Sequence, residues 1–395
     1  MDPGVHLGAR LSGLVAVIEA LAPYVASGDV PGLVAVVARG DDVETTVLGH
    51  LAVGGAPMRE DSLFRIASAG KPITAVAVLT LVADGKVAID EPVDDLLPEL
   101  AQPQVLRDVM GPIDDTVPVD RSITVGDLLR STNGHGFPAD FSAPVVTMLF
   151  ERLRQGPPQP QAFPPPAEWM AALSEVPLLH QPGDGFTYNT AFDILGVLVA
   201  RASGQPFADY VDRRIFRPLG MIDSGFSFAP GTESRVTSAY RRGDDGELVL
   251  VDGPDGQWAM APSFASGAGG YVSTAADLLA FHRMLLAGGA NLIPPELVAA
   301  MTSDQLNPAI RATDSVFLDG QSWGYGCGVD IEVRNSWNVP GRYGWVGGTG
   351  TAAYAVPADG SIAILLTQVE LGGPGGSGVL ESFWAAAASH LGHAS

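Results

Sequence analysis

The sequence predicts an α/β protein of the α+β kind, an antiparallel sheet of about five strands flanked by helices and interrupted by a mostly helical insertion. Three observations predict it: Val-rich runs near both ends of the chain, a helical stretch outside each of them, and helical periodicity through the middle. At 395 residues and 46% hydrophobic content, the chain exceeds what one core usually supports. Two core regions or a discontinuous pair of domains are expected.

Residues 11 to 24 carry Leu14, Val15, Ile18, Leu21 and Ala22 at helical spacing, the pattern of a helix that caps a sheet. GLVAVVARG and VETTVLGH follow, separated by Asp41 and Asp42, which is a β-hairpin signature. Near the other end WVGGTG, TAAYAVP and SIAILLTQ repeat the strand pattern with a turn at ADG, 358–360, before the helical stretch GVLESFWAAAASHL. Between roughly 85 and 260, ITVGDLLRS, AEWMAALSEV, TAFDILGVLVARAS and FADYVDRRIF have helical periodicity. Residues 1–85 and 260–395 are therefore assigned to a discontinuous sheet domain and 86–259 to a mostly helical domain, with a cleft between them. QGPPQPQAFPPP, 155–166, reads as an irregular loop edging that cleft.

A formal net charge of -22 lacks the Lys/Arg surplus that nucleic acid or an anionic membrane face requires. The start of the chain has no basic region followed by an apolar one, and no stretch is apolar enough to span a bilayer, so a cytoplasmic location is expected. Cys327 is the only cysteine, which excludes an intrachain disulfide and a thiolate-based zinc site. The seven histidines show no metal-ligand spacing and no phosphate-binding glycine motif is present, so neither metal nor cofactor is expected. The sequence leaves the oligomeric state open, a homo-oligomer included.

The sharpest chemical feature is Ser68-Ala69-Gly70-Lys71, between the strand-like SLFRIA and the helix-forming ITAVAVLTLVADG. If Ser68 opens that helix, Lys71 lies three residues on along the same face, and Pro72 falls in the first turn, where a missing N–H is tolerated. The chain has 20 arginines and only two lysines, Lys71 and Lys86. Arginine cannot be deprotonated, so a lysine kept here points to a titratable amine, a base toward the serine hydroxyl once burial strips its hydration. Gly320-Gln321-Ser322-Trp323-Gly324 matches the G-x-S-x-G elbow, yet WGYGCGVDIEV reads as a Gly-rich turn entering a strand, and that elbow needs a helix after its serine.

With FRIASAGKPITAVAVLTLVADGKVAIDEPVDDLLPEL, ITVGDLLRSTNGHG, HQPGDGFTYNTAFDILGVLVARASGQPFADYVDRRIFRPLGM, SGAGGYVSTAADLLAF and YGWVGGTGTAAY in this order, the chain resembles the serine β-lactamase-like superfamily. That group contains class C β-lactamases, penicillin-binding D,D-peptidases and family VIII carboxylesterases. The resemblance implies a class C β-lactamase-like fold, a Ser68 nucleophile, Lys71 as its base and Tyr188 as a partner in proton transfer. A neighbouring cation would be needed to favour the Tyr188 phenolate. It implies an oxyanion hole from the backbone N–H groups of Ser68 and Gly348. In the second motif, Tyr-x-Asn, Tyr188 and Asn189 are followed by Thr190, which removes an amide that helps relatives hold an acyl-amide side chain. In the third, Trp345-Val346-Gly347 replaces Lys-Thr-Gly, and tryptophan cannot anchor a carboxylate. W-x-G resembles the family VIII esterases. Asn189, Thr190, Trp345 and Gly347 are thus expected at a small neutral ester. Arg342 is a candidate substitute anchor, which would favour the alternative of a β-lactamase, D,D-peptidase or D-aminopeptidase. The third reading is a binding protein that keeps the fold without forming a serine adduct. Whether water or another alcohol takes the acyl group stays open.

Overall fold

The computed structural model describes residues 3–156, 160–373 and 377–393. Its centre is one antiparallel sheet of seven strands: β1 (Gly32–Arg39), β2 (Asp42–Gly49), β3 (Gln321–Trp323), β4 (Gly328–Asp330), β5 (Tyr343–Gly347), β6 (Thr351–Val356) and β7 (Ser361–Leu366). They are ordered β2-β1-β7-β6-β5-β4-β3, so the two ends of the chain meet where β1 pairs with β7. The sheet is larger than the five strands expected. The extra pair, β3 and β4, has three residues per strand, too short to carry a periodic signal. In the β1–β2 hairpin Arg39 pairs with Asp42, so the turn residues are Gly40 and Asp41, with Gly40 at φ +58°.

The central strands read as unbroken apolar runs because both faces of the sheet are covered. Leu33, Ala35, Val37, Ala363 and Leu365 face Val17 and Leu21 of α1 (Pro3–Ala26) and Leu380, Phe383 and Trp384 near the C-terminus. The alternate set, Val34, Val36, Ile362, Ile364 and Leu366, joins a larger core that continues into the helical part. The core therefore runs unbroken from the sheet to helices α2 (Lys71–Ala83), α3 (Thr190–Ser203) and α4 (Ala275–Leu286). Thr274 caps α4 by accepting from Asp277 N, and Ser377 caps the closing helix α5 (Gly378–Leu391), which ends at Gly392 in the left-handed region.

The middle of the chain supplies α3 and shorter helices at Val125–Leu129, Val145–Glu151, Pro166–Leu173 and Phe207–Val211. FADYVDRRIF does not stay one α-helix: it passes through a π turn at Asp212–Phe216. The same region holds two small hairpins that periodicity did not reveal, Gln104–Leu106 with Thr116–Pro118 and Ala239–Arg242 with Leu248–Asp252. Of the Pro-rich stretch 155–166, residues 157–159 lie outside the described residues. No helix among the described residues is long and apolar enough to cross a membrane.

Candidate active site

The segment entering α2 is fixed by the sheet. Thr349 Oγ1 donates to Arg65 O at 2.6 Å and Thr351 Oγ1 to Ile66 O at 2.9 Å. The close approach needs Gly347, since a Cβ there would lie 2.2 Å from Ile66 O. Ala67 is held at φ +45°, a strained value for an alanine, and begins a 3-10 turn, Ala67–Gly70, that carries Ser68. Ser68 thus stands one turn before α2 rather than at its cap, and Lys71 is the first residue of α2. A Cβ on Gly70 would lie 2.2 Å from the Tyr271 ring, so this turn tolerates no other residue without displacement.

Lys71 is 0% exposed. Its Nζ reaches Ser68 Oγ at 2.7 Å, Asn189 Oδ1 at 2.8 Å and Ala268 O at 2.7 Å. An ammonium donates to all three. Two of these partners are carbonyl oxygens that can only accept, so a neutral amine keeps its two hydrogens on them and turns its lone pair to Ser68 Oγ. Burial lowers the Lys71 pKa from 10.5 to about 7, against the opposing charge of Asp193.

Tyr188 lies with its ring 4.6 Å from Lys71 Nζ and stacked on Phe317 at 4.2 Å. Its hydroxyl accepts from Trp345 Nε1 at 2.6 Å. Burial pushes the phenol up to about 12, with the Ser68 and Trp345 hydrogen bonds opposing. Burial outweighs these hydrogen bonds, so the condition under which Tyr188 would be a phenolate is not met near neutral pH. Trp345, on β5, is buried against Trp323 with ring centroids 4.7 Å apart, so it is both core and hydrogen-bond donor to Tyr188.

A model of the family described as "Beta-lactamase" matches residues 17–378 of the chain. The chain belongs to the β-lactamase family. "Protein Rv1367c" of Mycobacterium tuberculosis is 35% identical over 328 residues, 80% of this chain and 79% of that protein. "Esterase EstB" of Burkholderia gladioli is 35% identical over 314 residues, 75% of this chain and 74% of its own. The solved structure of "EstCE1, a hydrolase with promiscuous acyltransferase activity" superposes with a TM-score of 0.78 at 21% identity, covering 95% of this chain and 98% of that one. The likeness to EstCE1 is one of fold, and the family is one of serine hydrolases with esterase and acyltransferase members.

In this β-lactamase family member, Ser68, Tyr188, Asn189, Trp345 and Gly348 line one cavity of about 780 Å³, within the range of small-molecule sites. Gln155, Gly156, Pro160 and Phe163 line it too, so the Pro-rich loop does edge the cleft. Thr190 does not line the cavity: it is 0% exposed and its hydroxyl donates to Gln155 Oε1 at 2.7 Å. A helix start at Thr190 turns that side chain into the protein, and Gln155, which it bonds, reaches the cavity wall. Arg342 is not a free anchor. Its Nε donates to Asp330 Oδ2 at 2.8 Å, and its guanidinium lies over Tyr354 and Trp384. Arg334, the other arginine at the cavity, pairs with Glu332 and Asp319.

Ser322 sits on β3, followed by a turn into β4 rather than by a helix, and its hydroxyl bonds Asp304. Cys327 is buried, its thiol pushed up by burial. Among the described residues no group of three His, Cys, Asp or Glu could hold a metal ion. Ala268 and Asp193 were not picked out from the sequence. The available signal for Asp193 was a lone acid in the apolar helix TAFDILGVLVARAS.

Proposed function

We propose that the protein is a carboxylesterase that works through an acyl-enzyme on Ser68. The observation that carries this reading is the partner set of Lys71, which leaves one direction for a lone pair, and that direction is Ser68 Oγ. Lys71 takes the hydroxyl proton as Ser68 Oγ bonds the ester carbonyl carbon. The carbonyl oxygen becomes an oxyanion that the N–H groups of Ser68 and Gly348 are proposed to receive. Collapse expels the alcohol, which gains a proton from the Tyr188 hydroxyl, and the Lys71 ammonium beside the Tyr188 ring returns a proton to that tyrosine. Water then attacks the acyl-enzyme by the same path in reverse. A second alcohol in place of water gives an acyltransferase.

Neutral esters are favoured over β-lactams and peptides because both arginines at the cavity are already paired with carboxylates. A penicillin or a peptide terminus would bring a carboxylate to a site without an unpaired arginine. The aromatic wall of Phe137, Phe141, Phe150 and Phe317 suits an apolar acyl or alcohol group. The test compares turnover of p-nitrophenyl butyrate with that of benzylpenicillin. Ester hydrolysis faster by at least about a thousandfold in kcat/KM, some 4 kcal/mol, supports the esterase. Comparable penicillin turnover would assign the site to a β-lactamase or peptidase.

A further inference from the structure

Lys71 starts α2 and contacts Asn189, at the N-cap position of α3, so the positive ends of two helices both disfavour its ammonium. Its three direct partners are neutral. The carboxylate that acts on it is Asp193, in the first turn of α3 and 0% exposed. Asp193 Oδ1 accepts from Ser266 Oγ at 2.6 Å and Ala268 N at 3.1 Å, and Oδ2 accepts from Gln155 Nε2 at 3.1 Å. Burial raises its pKa, and the three donors on its two oxygens oppose this by favouring the carboxylate.

The same contacts place a carbonyl. Ala268, gripped at its N–H by Asp193, is the residue whose oxygen takes a hydrogen from Lys71. The loop around it is pinned further: Thr74 Oγ1 donates to Gly267 O at 2.7 Å, and a Cβ on Gly267 would lie 2.3 Å from Phe192 O. The other titratable groups at this spot, Tyr188 and Tyr271, are both kept neutral by burial.

We infer that Asp193 is a positioning residue of this site: the buried counter-charge to the Lys71 ammonium and the anchor that fixes the Ala268 carbonyl beside it. When Ser68 gives its proton to Lys71, the charge formed there is opposed by a carboxylate already in place, so no reorganisation is needed. This rests on the reading of Lys71 as the base for Ser68.

The experiment is the pH profile of kcat and kcat/KM for p-nitrophenyl acetate in wild type, Asp193→Asn, Asp193→Glu and Ser266→Ala. Asp193→Asn removes the charge that favours the ammonium, so the acid limb moves about one pH unit lower and plateau kcat falls at least about tenfold. Asp193→Glu keeps the charge and returns the limb to its wild-type pH. Ser266→Ala loosens the anchor but leaves Asp193 its carboxyl group and its other two donors, and lowers kcat severalfold with the limb moved less than in Asp193→Asn. A rate loss in Asp193→Asn that is equal at every pH, with the limb unmoved, overturns the counter-charge role. Wild-type kcat in Ser266→Ala overturns the anchor role, and that variant still tests the inference if Asp193→Asn does not fold. Failure of a fluorophosphonate to label Ser68 in wild type would instead sink the esterase reading on which the inference rests.

Discussion

Lys71 gives up its hydration for three oxygen partners, and this exchange makes it titrate near neutrality. The base form exists above about pH 7 and the ammonium below it. Ester kcat/KM is therefore expected to rise with pH through that region and level off above it, as read from a profile between pH 5 and 9. Lys71→Arg keeps a cation that never deprotonates, and the expected loss is about 10²–10⁴-fold in kcat/KM. The contact of Lys71 with Ser68 was legible because residues three apart at the start of a helix form a local pattern. Ala268 was not, being 197 residues away in the chain, and Asn189, 118 residues away, was expected at the substrate rather than at Lys71. Thr190 and Arg342 went astray for a related reason. Sequence supplies a residue's type, while which way it faces follows from the helix start at Thr190 and from the Asp330 carboxylate beside Arg342.

At the scale of elements, the serine is held by the contact between β5, β6 and the turn before α2. Both glycines of that contact are there for space. Gly70→Ala would drive a methyl into the buried Tyr271 ring, whose hydroxyl is tied to Thr74 at 2.6 Å. The expected cost is about 1–3 kcal/mol in urea denaturation, with a parallel loss of ester hydrolysis because the displaced turn carries Ser68. The strands β1, β2, β5, β6 and β7 were legible, since each runs for five or more residues between turn signals. β4 lies in the strand that WGYGCGVDIEV was read as entering, whereas β3 was not legible, because a three-residue strand at the sheet edge derives its structure from its neighbours.

For the whole molecule, the meeting of the two chain ends at β1 and β7 makes the sheet a platform with helices on both faces. Arg342 belongs to that platform through Asp330, Tyr354 and Trp384. Arg342→Ala leaves a buried carboxylate unpaired, so it is expected to destabilise the fold by about 3–5 kcal/mol. Ester kcat/KM at a permissive temperature should stay within about twofold, since the guanidinium is engaged away from the Ser68 hydroxyl. A large rise in KM for carboxylate-bearing substrates alone would instead make it an anchor. The resemblance to the serine β-lactamase-like superfamily was legible at this scale because five stretches in order span nearly the whole chain.

The central claim is that Ser68 is the nucleophile of an esterase. Its most direct test is intact-mass analysis of wild type and Ser68→Ala after exposure to a fluorophosphonate. One adduct per wild-type chain and none on Ser68→Ala is the predicted result. Labelling that persists in Ser68→Ala would place the nucleophile elsewhere and contradict the account.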